Sequence, residues 1–412
     1  MSLSLSRVFK GPSVPRLRAT AVAARRTFST PVNDSFSPLP AAPPPSAASH
    51  GAALWQAVNA RAPRYDWTKD EIRELYNTPL MELAHQSGVI HRRFHSASAV
   101  QMCTLMNIKT GGCSEDCSYC AQSTRYNTGL KAEKMSPVDE VLKAARIAKD
   151  NGSTRFCMGA AWRDMRGRKT SLKNVKAMVE GIRAMEMEVC VTLGMIDQNQ
   201  AEELKQAGLT AYNHNVDTSR EHYPSVITTR TYDERLQTLS NVRNAGINVC
   251  SGGILGLGET PEDHVGLLYT VATLPAHPES FPVNALVPIK GTPLGDDPKR
   301  KRISFDAILR TIATARLVMP ATIIRIAAGR TTMSEAEQIL CFSAGANAVF
   351  TGEKMLTTDA VGWDTDKAMF ERYGLVPMKS FERGGFREAS WADMKQSIMP
   401  DISSTTASSV AP

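Results

Sequence analysis

Cys113, Cys117 and Cys120 are the residues whose type and spacing most directly suggest chemistry. They form a Cys-x3-Cys-x2-Cys run within Gly111-Gly112-Cys113-Ser114-Glu115-Asp116-Cys117-Ser118-Tyr119-Cys120. Thiolates select soft metals: zinc, copper(I) or iron–sulfur clusters. A structural zinc site takes four closed ligands. No fourth Cys or His follows nearby, and the next cysteine is Cys157. Three thiolates on one compact loop suit a 4Fe–4S cluster instead, with one iron left open for a substrate or cofactor.

A second motif is Gly252, Ile254, Gly256 and Glu259, a G-x-I-x-G-x-x-E pattern. Read blandly, it is a glycine-rich strand end whose turn needs positive φ. It is not a dinucleotide fingerprint, because no G-x-G-x-x-G opens a helix here. With Tyr119 before the last cysteine, these two motifs resemble those of the radical S-adenosylmethionine enzymes. The resemblance implies that the open iron chelates the amino and carboxylate groups of S-adenosylmethionine. One electron from the cluster then cleaves the sulfonium and releases a deoxyadenosyl radical. It also implies that Tyr119, Gly252, Ile254, Gly256 and Glu259 belong to the cofactor site, the last four near the adenine. One feature departs from the family: its usual Gly-Gly-Glu reads Gly159-Ala160-Ala161.

Cys157, Cys190 and Cys250 lie on three different strand-like runs. For any one of them, a small buried hydrophobe is the better reading. If all three point inward, they converge in a barrel lumen. Asn213, Asn215 and Asp217 alternate with period two and so share one strand face. Such a face is either a hydrogen-bonded polar layer or a wall for a polar ligand.

Over residues 67–375 the chain resembles the biotin synthases. The segments that carry this are 111–122, 153–162, 212–219, 227–232, 249–260, 290–294 and 328–330. The resemblance implies a second cluster, 2Fe–2S, that donates sulfur and is held by Cys157, Cys190, Cys250 and Arg330. It implies that Asn215 and Asp217 contact the ribose of S-adenosylmethionine, and that Asn213, Asn215 and Asn284 contact the ureido group of dethiobiotin. The implied reaction is sulfur insertion into dethiobiotin to give biotin, consuming two S-adenosylmethionines. Implied partners are a reducing electron-transfer protein, iron–sulfur assembly machinery and a second copy of the chain in a homodimer. An arginine ligand is chemically odd, since guanidinium stays protonated in nearly all settings. The bland reading of Arg330 is a salt bridge or a carboxylate clamp.

Cys103 and Cys341 match no cluster position and read as packing residues. His85, His91 and His95 are loosely spaced and read as surface. Lipoyl synthase, a rival reading, carries an extra cysteine cluster upstream of the first, whereas here only Cys103 precedes Cys113. A non-catalytic zinc-binding protein would need none of the strand cysteines. A simple electron carrier would not need so large a fold.

Strand-like runs at 102–108, 155–160, 188–193, 211–216, 248–255, 281–289, 323–328 and 347–350 position these residues. Helix-like segments at 138–149, 172–185, 200–206, 231–245, 262–273, 306–317 and 335–342 alternate with them. In the clearest helix Leu236, Leu239 and Val242 repeat at helical spacing, acids open the first turn and Gly246 closes it. Alternation of β and α predicts a parallel sheet. Eight such units predict an α/β fold of the (β/α)8 TIM-type barrel class with an N-terminal extension, a doubly wound open sheet being the alternative. The cysteine loop then follows the first strand, at the barrel's active-site face.

The 412 residues carry 48 Lys+Arg against 41 Asp+Glu, a net charge of +7. Residues 1–33 lack acids and contain Arg7, Lys10, Arg16, Arg18, Arg25 and Arg26, the composition of a mitochondrial transit peptide. Without those six charges the rest carries only +1, which removes the case for a nucleic-acid or membrane-surface partner. No apolar run approaches the roughly 20 residues of a spanning helix. Eight cysteines are too sparse for a disulfide scaffold. The expected organisation is a transit peptide (1–33), a Pro/Ala-rich linker (34–58), a catalytic barrel (59–385) and a tail (386–412), in the mitochondrial matrix.

Overall fold

A computed structural model describes residues 51–355 and 357–386. The transit segment, the linker up to residue 50 and the tail beyond 386 lie outside the described residues. The strands are β1 (Ala99–Lys109), β2 (Arg155–Ala160), β3 (Glu188–Thr192), β4 (Ala211–Asn213), β5 (Asn248–Cys250), β6 (Gly253–Leu255), β7 (Ser280–Ala285), β8 (Ile323–Ile326) and β9 (Ala348–Phe350). Each pairs in parallel with the next, β5 and β6 both pairing β7, and β1 pairs with both β2 and β9. The sheet therefore closes into an eight-position barrel, and the open-sheet alternative falls.

β5 and β6 are one barrel position broken at Ser251-Gly252. A Cβ on Gly252 would sit 2.1 Å from the Pro282 carbonyl oxygen. Only glycine lets the chain approach β7 this closely. β4 stops at Asn213, earlier than the expected 216, and Asp217 beyond it takes a left-handed φ of 69°. The chain turns there to present polar side chains at the barrel mouth.

The connecting helices fall where their periodicity places them. Tyr232–Asn244 opens with a capping box between Thr231 and Glu234. This helix buries Arg235 and so brings a guanidinium to the strand ends.

Three helices precede the barrel: α1 (Ala52–Asn59), α2 (Lys69–Asn77) and α3 (Leu80–Phe94). Residues 52–58 are thus helix rather than extended linker, because Ala53 and Ala57 bury their small side chains in the core. Arg310 pins these helices to the barrel by donating to the carbonyls of Tyr76 (2.9 Å) and Thr78 (2.7 Å). His91 and His95 are buried rather than on the surface, with ring centroids 5.5 Å apart. His95 Nε2 lies 2.8 Å from Nη1 of the buried Arg316. His85 is exposed, as expected.

After β9 come an antiparallel hairpin, β10 (Lys354–Met355) and β11 (Thr358–Asp359), a helix (Trp363–Tyr373), and β12 (Val376–Pro377), which pairs with the start of β1. Among the described residues no helix is long and apolar enough to cross a membrane.

Candidate active site

A cavity of about 320 Å³ opens at the C-terminal ends of the barrel strands. Its upper wall is the cysteine loop that leaves β1. Gly111 and Gly112 take positive φ (63° and 72°) to make the turn. Backbone bonds then fold the loop on itself: Cys113 N donates to Gln122 O at 3.0 Å and Cys120 N to Cys117 O at 3.0 Å. Neighbouring loops hold it from outside. The Asp116 carboxylate accepts from the backbone N–H of Thr228 (3.0 Å) and Thr229 (3.2 Å). Ser118 donates to Val226 O and accepts from Leu294 N, both at 3.0 Å. Cys113, Cys117 and Cys120 are thereby presented to the cavity.

Burial pushes the Cys120 thiol up to about 11 and raises Cys117 and Cys113 as well. Such thiols hold their protons until a cation draws them off, which is what thiolate binding to iron requires. Among the described residues, no three His, Cys, Asp or Glu side chains converge tightly enough for a single metal ion. A four-iron cluster spaces its thiolates more widely than one ion does. The donor set of three thiols on a loop held by its neighbours fits such a cluster.

Below the loop, Asp217 is the hub. Tyr119 Oη donates to its Oδ2 at 2.9 Å, and Arg235 forms an ion pair with the same oxygen, both side chains buried. Asn215 Oδ1 accepts from Gly252 N (3.2 Å) and from Asn213 Nδ2 (3.1 Å). Asn284 bridges two strand ends, donating to Gly253 O (2.9 Å) and accepting from Ala328 N (3.1 Å). All six side chains line the cavity.

The glycine motif divides. Ile254 lines the cavity, whereas Gly252, Gly256 and Glu259 do not. Gly252 serves the close approach to Pro282. Glu259 closes the turn by accepting from Gly256 N, and joins His264 Nε2 at 2.9 Å.

At the cavity floor, Cys157 and Cys190 stand in register on β2 and β3. Cys250 on β5 completes a buried group with them around Ala211. Thiol contacts run from Cys157 to Cys190 and on to Cys250. The neighbouring Cys103 thiol, with burial, pushes Cys157 up to about 12, and the Cys157 thiol, with burial, pushes Cys190 up to about 11. Three thiols from three strands in one water-poor site fit a sulfur-rich iron cluster by the chemistry of the donor set.

Arg330 does not join them. Its Nε donates to Gln338 Oε1 (2.7 Å), its Nη1 to Phe350 O (2.9 Å), and the guanidinium forms a buried ion pair with Asp366. Four acceptors occupy it outside the cavity, so its bland reading as a salt bridge is the one the geometry supports. The arginine that lines the cavity beside the strand cysteines is Arg325 on β8. It is 0% exposed and donates to Ser280 Oγ (3.0 Å) and Gln101 Oε1 (2.6 Å), while its Nε lacks a partner. The sequence signal for it was a charge inside the apolar run Ile323-Ile324-Arg325-Ile326. A strand otherwise buried keeps such a charge only where a polar partner awaits it. Arg235 and Arg230, which also line the cavity, were likewise missed.

Comparison with known proteins agrees with this geometry. Residues 107–268 match the Radical SAM superfamily, and residues 282–376 match the Biotin and Thiamin Synthesis associated domain. The chain is 72% identical over 343 residues to the mitochondrial biotin synthase of Emericella nidulans, covering 82% of this chain and 86% of that one. It is 61% identical over 340 residues to the mitochondrial biotin synthase of Saccharomyces cerevisiae, covering 82% and 91%. The mitochondrial biotin synthase of Arabidopsis thaliana is 57% identical over 332 residues, covering 81% and 87%. Among solved structures, methylornithine synthase shares the fold at a TM-score of 0.65 and 16% identity, covering 84% of this chain and 99% of that one. The superfamily's cofactors are a 4Fe–4S cluster and S-adenosylmethionine, for which the loop cysteines and the cavity below them provide the place. With relatives this similar over four-fifths of its length, the chain belongs to the biotin synthase family of radical S-adenosylmethionine enzymes.

Proposed function

We propose that the chain converts dethiobiotin to biotin in the mitochondrial matrix, with two iron–sulfur sites stacked in one barrel. The observation that carries this is a single cavity bounded by three loop cysteines above and three strand cysteines below. When bound, a 4Fe–4S cluster with S-adenosylmethionine supplies a deoxyadenosyl radical, and a 2Fe–2S cluster supplies sulfur.

The residues divide the work by depth. Cys113, Cys117 and Cys120 hold the upper cluster, and loading it displaces their thiol protons. Asp217, paired with Arg235 and oriented by Tyr119, accepts hydrogen bonds from ribose hydroxyls, and Asn215 adds a neutral amide beside it. Ile254 gives the adenine an apolar wall. Asn213 and Asn284 offer amide donors and acceptors complementary to a ureido group. Cys157, Cys190 and Cys250 hold the lower cluster, and Arg325, not Arg330, is the arginine at that seat. The barrel excludes water and fixes the substrate between the two sites, which favours hydrogen abstraction at the intended carbons over side reactions.

A reducing electron-transfer protein and iron–sulfur assembly machinery would be its partners, and the chain would work as a homodimer. The test is anaerobic reconstitution of the full chain with iron and sulfide, followed by reductant, S-adenosylmethionine and dethiobiotin. Deoxyadenosine and biotin are both expected. Deoxyadenosine without biotin sinks the substrate. Neither product, with only zinc bound, sinks the whole reading.

A further inference from the structure

Behind the floor of the cavity lies a fourth thiol. Cys103 on β1 is 0% exposed and stands two residues before Leu105, which lines the cavity. Its thiol contacts that of Cys157. Cys157 in turn contacts Cys190, and Cys190 contacts Cys250. Thiols from β1, β2, β3 and β5 thus neighbour one another in turn, with Cys103 one side-chain step below the cavity lining. Arg325 reaches its near end, with Nη2 3.0 Å from Cys103 Sγ.

Cys103 differs from a packing cysteine in its surroundings. Cys341 sits in the apolar core. Cys103 instead touches Cys157 and two polar side chains, Gln101 (Oε1 at 3.5 Å) and Arg325. A second observation points to a missing anionic group at this place. Arg325 Nε and, on the neighbouring strand, Arg155 Nε and Nη2 are buried without a hydrogen-bond partner. Arg155 stands in register with Cys103 itself. The Arg155 guanidinium already faces the Glu188 carboxylate at 3.6 Å, whereas the open Arg325 Nε, beside the strand thiols, suits an anionic iron–sulfide core. Four thiolates are the ordinary ligand set of a 2Fe–2S cluster, whereas a guanidinium is the unusual donor.

We propose that Cys103 is an iron-ligating thiol of the lower seat, able to take the fourth ligand position in place of Arg325. This rests on the reading of that seat given above. The two donors are adjacent, so exchange between them needs no movement of the barrel strands.

The test compares wild type, Cys103→Ser, Arg325→Met and the double variant, each reconstituted anaerobically as the full chain. Iron and sulfide per chain, visible absorption and the nitrogen hyperfine coupling of the reduced lower cluster are measured. Wild type and both single variants retain two clusters, and Arg325→Met loses any nitrogen coupling. The double variant keeps the upper cluster, while its affinity for iron at the lower seat falls by about 10- to 100-fold, as for loss of a metal-supporting group. An Arg325→Met chain that loses the lower cluster unaided, or a double variant that keeps it, overturns the proposal. If the double variant does not fold, iron-edge X-ray absorption decides, measured on Arg325→Met combined with Cys113→Ala, Cys117→Ala and Cys120→Ala so that only the lower seat is loaded. A sulfur-only shell supports Cys103, and a persistent nitrogen or oxygen donor overturns it. Wild type that binds only the upper cluster refutes the lower seat itself, which is a different failure.

Discussion

Cys157 and Cys190 face one another across β2 and β3, paired in register, and their thiols touch. A parallel pair in register puts both side chains on the same face of the sheet. In a closed barrel that face is the lumen. The relationship is fixed by the strands, so it exists before any metal arrives.

Cys190→Ala therefore removes one donor from the lower seat without disturbing the loop that carries Cys113, Cys117 and Cys120. The variant is expected to keep the upper cluster and to form deoxyadenosine. It should lose biotin formation and the lower cluster's absorption. Losing both clusters together would favour a packing role for Cys190.

The two arginines separate stability from chemistry. Arg330 and Asp366 form a buried ion pair, with side-chain exposures of 3% and 0%. Removing one partner strands the other charge, a loss of about 3–5 kcal/mol. Arg330→Met is thus expected to lower Tm by roughly 10 °C for a domain of this size. When purified cold it should still carry both clusters. Unchanged Tm with loss of the lower cluster would return Arg330 to the seat.

The same pair shows where sequence reasoning stops. Strand and helix periodicity placed all eight barrel positions, because each run is a local pattern, whereas closure into a barrel rather than an open sheet was visible only in the pairing of β1 with β9. The loop cysteines were legible because their spacing is local. The strand cysteines were legible only as a suspicion, since convergence across a barrel leaves no spacing rule. Arg325 and Arg330 are five residues apart and equally charged. Only the path of the chain, turning at Gly329 with φ of 81°, shows that one faces the lumen and the other faces Asp366. Helix α1 was missed because the Pro-rich stretch before it read as continuing to 58, whereas α2 and α3 fall inside the expected barrel segment without being singled out. His91 and His95 were misread as surface because Arg316, which meets His95, lies more than 200 positions away.

The Asp217 hub makes a graded prediction. Tyr119→Phe removes one hydrogen bond to a charged group, worth about 1.5–3 kcal/mol. S-adenosylmethionine binding, measured by equilibrium dialysis, should weaken by at least about tenfold, with the cluster intact. Asp217→Asn also leaves Arg235 buried without its counter-charge and should weaken binding further, with a lower Tm. Equal affinity in wild type and Asp217→Asn would remove Asp217 from the cofactor site.

His91 predicts how stability depends on pH. It is 2% exposed on α3, and its Nε2 has no partner. Burial, with Arg316 and Arg92 nearby, holds its imidazole well below the usual 6.5. The folded chain therefore keeps this ring neutral while the unfolded chain protonates it near pH 6.5. Its contribution to stability is complete above that pH and is lost as pH falls, by up to about 1.4 kcal/mol per pH unit. His91→Leu cannot take up that proton. Its Tm should fall less than that of wild type between pH 7.5 and 5.5, whatever its starting value. Parallel pH profiles in the two proteins would show that the ring is not the group that resists protonation.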